Sequence, residues 1–303
     1  MLSLSISKSV VNKPDDIFTL VKPFSHLKRL KTLELDFSRS NLNEAHLTEI
    51  ANEISQLNLE KLKFSIEACE VSSLNELQRL LESQTDLQYL DLNVNGTVQS
   101  NEELAAVMTG LKPMTSLKTL KLSLFTSKIS NDFTIFSEKF GNISSTVEDL
   151  ELMLSGATLS MDSLSIFTKN LTKLRSLQTL SLGILADFKT EEVHLLLNGI
   201  GVLTNLKNLS LIISGISAGG EEMSSLASML AKLKLLEVLY LSFKGIRDMT
   251  ENTEVLLAGL LSCSRLRMCR LETFNFSEDA HECRDYIFQT LRRHKALKNL
   301  KIQ

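Results

Sequence analysis

The side chains that could do chemistry are few and scattered. Five histidines (His26, His46, His194, His281, His294) and four cysteines (Cys69, Cys263, Cys269, Cys283) occur in 303 residues. The one close His/Cys pair is His281 with Cys283. A structural zinc site needs four ligands, its cysteines usually in pairs about two to four residues apart, and Cys263 and Cys269 are too far apart for that. Gly219 and Gly220 precede Glu221, but neither G-x-x-x-x-G-K-[ST] nor G-x-G-x-x-G occurs, so the pair reads as a turn and not as a phosphate cradle. There is no G-x-S-x-G elbow and no Ser/His/Asp set placed on one face. The expectation is a chain that is not an enzyme and holds no metal and no cofactor.

What remains is recognition chemistry. Asn208, Ser210, Ile212, Val238, Tyr240, Met268 and Arg270 form the candidate partner-binding set. Tyr, Met and Arg are enriched in interface cores, and a contiguous exposed apolar patch marks a binding surface. A repeated figure, L-x-x-L-x-L, places these residues; Asn205 to Leu211 is its clearest copy. The last apolar residue of each copy falls at Ile6, Leu35, Phe64, Leu92, Leu122, Leu152, Leu182, Leu211, Leu241, Leu271 and Ile302, with spacings of 28 to 31 residues.

An apolar residue often follows two positions later, as at Phe37, Ile66, Val94, Leu124, Ile184 and Ile213. Alternation of period two predicts a strand with one buried face. Strands one repeat apart and running the same way must pair in parallel through crossovers. The crossovers read as helices. Asn43, Ser72, Ser100, Ser130, Ser160 and Thr190 stand at the N-cap position, and Ser73/Glu76 and Ser100/Glu103 have capping-box spacing.

This period, with a helix in each repeat, resembles the leucine-rich repeats of the ribonuclease-inhibitor-like class over the whole chain. The resemblance implies an α/β solenoid: a curved horseshoe whose parallel sheet of about 11 strands lines the concave face, with helices on the convex face and a single domain over 1–303. The chain departs from the family in the turn after each strand. The slot that usually carries Asn or Cys holds Ser38, Glu67, Phe125, Ser155, Leu185, Ser214, Lys244 and Phe274, and only Asn95 fits. The glycines at 96, 156, 215 and 245 are the sequence's candidates for holding those turns.

Residues between the buried positions face outward. The central column runs Ser5, Glu34, Lys63, Asp91, Lys121, Glu151, Ser181, Ser210, Tyr240, Arg270, Lys301. Its sign alternates from Glu34 to Glu151, which reads either as a docking strip or as a ladder that removes like-charge clashes. Beyond it the alternation stops, and nothing in the candidate set is expected to cancel by charge.

Net charge is −3 with a pI near 6.0, which speaks against nucleic acid as a partner. No apolar run approaches the roughly 20 residues needed to span a bilayer. No signal peptide is recognisable, and the unpatterned cysteines fit a reducing compartment, so an intracellular, cytoplasmic protein is expected. The leading function is an interaction module or scaffold with a protein partner on the concave face. Two alternatives stand beside it. Similar arrays include Ran GTPase-activating proteins, which supply a loop arginine, and Arg39 near Asn41 is the comparable pair here. A structural subunit of a large assembly, self-associating through open sheet edges, is the other.

Overall fold

The computed structural model describes residues 2–5, 14–98, 100–125, 133–155, 160–185, 188–214, 220–244, 252–272 and 280–302. The chain forms two compact units, Met1–Ala157 and Thr158–Gln303. Unit 1 holds strands β1 (Leu2–Ser5), β2 (Thr32–Asp36), β3 (Lys61–Ser65), β4 (Tyr89–Asn93), β5 (Thr119–Phe125) and β6 (Asp149–Ser155). Its helices are α1 (Pro14–Val21), α2 (Glu44–Ile54), α3 (Asn75–Ser83), α4 (Asn101–Gly110) and α5 (Thr134–Lys139). Unit 2 holds helix α6 (Met161–Leu171), then β7 (Thr179–Leu185), α7 (Thr190–Ile200), β8 (Asn208–Ser214), α8 (Gly220–Lys232), β9 (Val238–Lys244), α9 (Thr253–Ser262), β10 (Met268–Glu272), α10 (Ala280–Leu291) and β11 (Asn299–Ile302).

Within each unit the strands lie in sequence order and pair in parallel. The register follows the repeated figure. Leu33, Leu62, Leu90, Leu120 and Leu150 are lateral partners in unit 1, and Leu180, Leu209, Leu239, Cys269 and Leu300 in unit 2. The leucines of the first set are fully buried. Each such side chain contributes about 1.5–3 kcal/mol against exposure, and a one-residue slip would turn the whole set outward. The helices close the other side of this layer through one face each; in α2 that face is Leu47, Ile50, Ala51 and Ile54.

The caps form where the side chain can reach back. Asn43 accepts from the His46 amide at 3.1 Å, and His46 Nδ1 accepts from the Asn43 amide at 3.1 Å, so a neutral histidine takes the place of the usual Glu. Ser100 and Glu103 close a capping box at 3.2 and 3.1 Å, and Ser160 caps α6. The Ser73/Glu76 box does not form: α3 starts at Asn75, and Arg79 takes the Glu76 carboxylate at 2.6 Å. Thr190 is already the first residue of α7, and its hydroxyl donates to Glu222 at 2.6 Å. Ser130 lies outside the described residues.

The turns that follow β2, β3 and β4 are held by two stacked positions. The first adopts the left-handed region: Arg39 (φ 58°), Ala68 (φ 54°) and Gly96 (φ 70°). Only the last is a glycine, so the expected glycine pattern is partial here; Gly156, Gly215 and Gly245 lie outside the described residues. The next position carries Ser40, Cys69 and Thr97, all buried. Cys69 Sγ donates to the Phe37 carbonyl at 3.1 Å. Thr97 Oγ1 donates to the Ile66 carbonyl at 2.5 Å and accepts from the Cys69 amide at 3.2 Å. The Phe37 and Ile66 carbonyls, which already accept from the Ser40 and Cys69 amides, thereby gain a second donor from the next repeat.

Candidate functional site

The seven candidate residues fall on adjacent strands of unit 2 and point away from the helices. Register sets them in rows: Asn208, Val238 and Met268; then Ser210, Tyr240 and Arg270; then Ile212, Ser242 and Glu272. Met268 is 43% exposed, one of the few large apolar side chains open to solvent. Val238, Tyr240 and Ile212 are half-buried, and Arg270 is exposed. The Arg270 guanidinium stacks over the Tyr240 ring, 5.3 Å from its centroid, which rigidifies both side chains. Asn208 Nδ2 donates to Thr179 Oγ1 at 3.1 Å, so it is tied to the neighbouring strand.

One expectation about this patch is corrected. Charge does cancel here, because Glu272 at the end of β10 pairs with Arg270 and accepts from the Tyr240 hydroxyl at 2.5 Å. The Tyr240 bond, followed by Arg270, holds the Glu272 carboxyl below the usual range. Burial, reinforced by Glu272, raises the Tyr240 phenol. The outcome is a Tyr–Arg–Glu cluster flanked by Met268 and Val238. Glu272 was missed because it sits past the last apolar residue of its repeat, where the outward row of β8 and β9 carries Ile212 and Ser242.

The corresponding face of unit 1 carries a central column of alternating charge, with neutral residues such as Tyr89, Thr119 and Asn93 on the flanking rows. Glu34 meets Lys61 at 3.2 Å and Lys63 at 3.4 Å, and Lys121 meets Glu151 at 2.8 Å. Lys61 lies over the Tyr89 ring at 4.9 Å. Burial raises Asp91 and Asp149 above the ordinary carboxylate value, against the pull of Lys121. A pocket of about 390 Å³ opens over β2 to β4, walled by Glu34, Asp36, Lys63, Glu67, Asp91 and Asn93.

The groups that could do covalent or metal chemistry are placed otherwise. No cluster among the described residues could hold a metal ion. Cys69, Cys263 and Cys269 are free and buried. Burial pushes the Cys263 thiol up to about 11 and the Cys269 thiol up to about 12, so neither supplies a thiolate near neutral pH. Ser225 and His194 come together, Oγ to Nδ1 at 2.5 Å, a pair the sequence spacing hid because it joins two repeats. Ser225 is 3% exposed and also donates to the Glu221 carbonyl, which makes it a helix-to-helix tie. Arg39 is bound to Glu67 at 2.9 Å across the turn.

Parallel strands at a 28–31-residue period, one helix per crossover and leucines in lateral register decide the architecture. Each unit is a leucine-rich-repeat solenoid. No family model matches the sequence, and no curated protein does. Among solved structures the chain is similar to the crystal structure of a TLR13–ssRNA13 complex, with 17% identity and a TM-score of 0.44, over 95% of this chain and 41% of that one. This chain therefore spans less than half of that chain's length. The fold assignment rests on the repeat itself and takes nothing from this likeness.

No helix among the described residues is long and apolar enough to cross a membrane.

Proposed function

We propose that this chain is a protein-interaction module, a non-enzymatic scaffold whose partner docks on the outward face of β8, β9 and β10. The observation that carries the reading is the Tyr240–Arg270–Glu272 cluster beside exposed Met268. Hot spots are rigid aromatic and Arg side chains that lose water on docking. Tyr240 and Arg270 are pre-ordered, so little side-chain entropy is lost when a partner covers them. Leucine-rich-repeat folds present regular sheet faces of this kind for binding, and fold alone does not name the partner. The unbroken period supports one array over 1–303. The cysteine usage supports an intracellular, cytoplasmic setting.

Val238→Asp combined with Tyr240→Ala tests the reading. The pair sits on a half-buried face, so circular dichroism should confirm that the fold is kept. Partner recovery in an affinity pull-down is expected to fall by about tenfold or more. Undiminished recovery would remove this face from the account. The GTPase-activating alternative requires Arg39 to leave Glu67; Arg39→Ala should leave GTP hydrolysis by a small GTPase unchanged.

A further inference from the structure

The helix-to-strand edge of unit 2 carries a second surface. Its loops, 172–178, 201–207, 233–237, 263–267 and 292–298, contain Lys173, Arg175, Lys207, Lys234, Arg265, Arg267, Arg292, Arg293, Lys295 and Lys298. One acidic residue, Glu237, stands among these ten, and it pairs with Arg267 at 3.5 Å. All ten basic side chains are exposed. The chain as a whole is net negative, so the positive charge is concentrated and does not reflect composition.

The loops also form a row. Each hands a backbone bond to the previous one: Lys207 N to Gln178 O at 2.8 Å, Glu237 N to Lys207 O at 2.7 Å, Arg267 N to Glu237 O at 2.8 Å, and Lys298 N to Arg267 O at 2.8 Å. Strand spacing of about 4.8 Å sets five loops side by side over roughly 19 Å. Two apolar side chains are open to water in the same region: Val202 at 58%, within loop 201–207, and Leu261 at 42%, in the last turn of α9.

The matching edge of unit 1 is built differently. Lys22, Lys28, Arg29, Lys31, Lys112 and Lys118 are there interspersed with Glu60, Asp86 and Glu148, and two pairs close across neighbouring loops, Lys31 to Glu60 at 3.4 Å and Lys118 to Glu148 at 2.7 Å. Helix-terminus electrostatics alone, which favours cations after every helix, would have treated both edges alike.

We infer that the helix-to-strand edge of unit 2 docks on an anionic phospholipid surface. Headgroup phosphates present negative charge as a plane, and a row of cationic loops meets a plane along its length. Basic side chains supply attraction, while Val202 and Leu261 enter the headgroup boundary as exposed apolar groups do at membrane interfaces. Single-stranded nucleic acid fits less well. Base stacking needs aromatic platforms, and the five loops contain no Phe, Tyr or Trp. The docking is peripheral and uses no spanning helix.

Cosedimentation of the full chain with vesicles tests this. Phosphatidylcholine vesicles carrying about one-third phosphatidylserine should pull the protein down, pure phosphatidylcholine should not, and about 0.5 M salt should release it. Each lost Lys or Arg weakens such binding about fivefold, so Lys234→Gln/Arg265→Gln/Lys295→Gln should lose on the order of a hundredfold. Val202→Asp, which leaves every basic residue in place, should lose severalfold. Removing as many charges from unit 1, through Lys22→Gln/Lys28→Gln/Lys112→Gln, should change binding by about twofold at most. These side chains are exposed, and unchanged circular dichroism confirms that each variant folds. Absence of sedimentation with the anionic vesicles overturns the inference, as does a unit 2 triple variant that binds like wild type. Binding to a single-stranded oligonucleotide with no binding to vesicles overturns it too and assigns the edge to nucleic acid.

Discussion

In unit 1 the outward column of the sheet runs Glu34, Lys63, Asp91, Lys121, Glu151; in unit 2 the same column runs Ser181, Ser210, Tyr240, Arg270, Lys301. The buried leucines behind the two columns are alike, so the difference belongs to the surface and not to the fold. Opposite charges on adjacent strands satisfy each other in unit 1, and a partner would have to break them. In unit 2 the Arg270–Glu272 pair on this face is capped by an aromatic ring and bordered by Met268. The helix-to-strand edges repeat the contrast, mixed in sign and partly paired in unit 1 and strongly basic in unit 2. Repetition fixes what is inside each repeat and leaves the outward residues free to differ between the two units.

The comparison can be broken first at the turns. If unit 1 is held by its buried clamps and not by its charges, Cys69→Ala should cost about 0.5–1.5 kcal/mol in urea unfolding, because the Phe37 carbonyl keeps only its Ser40 amide donor. Ala68→Gly should act the other way. Its φ of 54° burdens any side chain, and glycine there should stabilise by about 0.5–1 kcal/mol in the same measurement. Neutralising the pair through Lys121→Gln/Glu151→Gln should change stability by less than about 1 kcal/mol, since the pair is part-exposed. A larger loss would make the ladder a source of stability and weaken the contrast drawn above.

The smallest effect concerns Asp91. Burial holds its carboxyl above the ordinary value. A raised acid favours the folded state below its unfolded pKa and loses that advantage as pH rises through the folded value, so ionised Asp91 destabilises at neutral pH. Asp91→Asn should therefore raise Tm by roughly 1–3 °C near pH 7 and by almost nothing near pH 3, where Asp91 is protonated in both states.

Much of the fold was legible because a single slot is filled again and again. Leu62, Leu90 and Leu120 identify each other by spacing, and the register confirms them as lateral partners. The caps at Asn43, Ser100 and Ser160 were legible for the same reason, while Ser73 and Thr190 were misplaced by one or two residues, the scale on which helix starts are set by packing. The turn clamp was not legible. Ser40, Cys69 and Thr97 share no residue type: Cys69 and Thr97 donate to carbonyls of the preceding turn, and Ser40 meets the Cys69 thiol. The candidate residues lie on β8 to β10, and the expectation that no charge cancels among them does not hold. Glu272 joins Arg270 and Tyr240 from the end of its strand, a contact that depends on side-chain reach. The basic edge was invisible to net charge because acidic residues elsewhere in the chain cancel it.

The most direct test compares affinity purifications of wild type, Val238→Asp/Tyr240→Ala in unit 2, and Glu34→Gln/Lys63→Gln in unit 1, quantified by mass spectrometry. The account predicts a defined set of proteins that is retained by wild type and by the unit 1 variant and depleted about tenfold or more by the unit 2 variant. The same set retained by the unit 2 variant and lost from the unit 1 variant would contradict it, and would place recognition on the charge ladder.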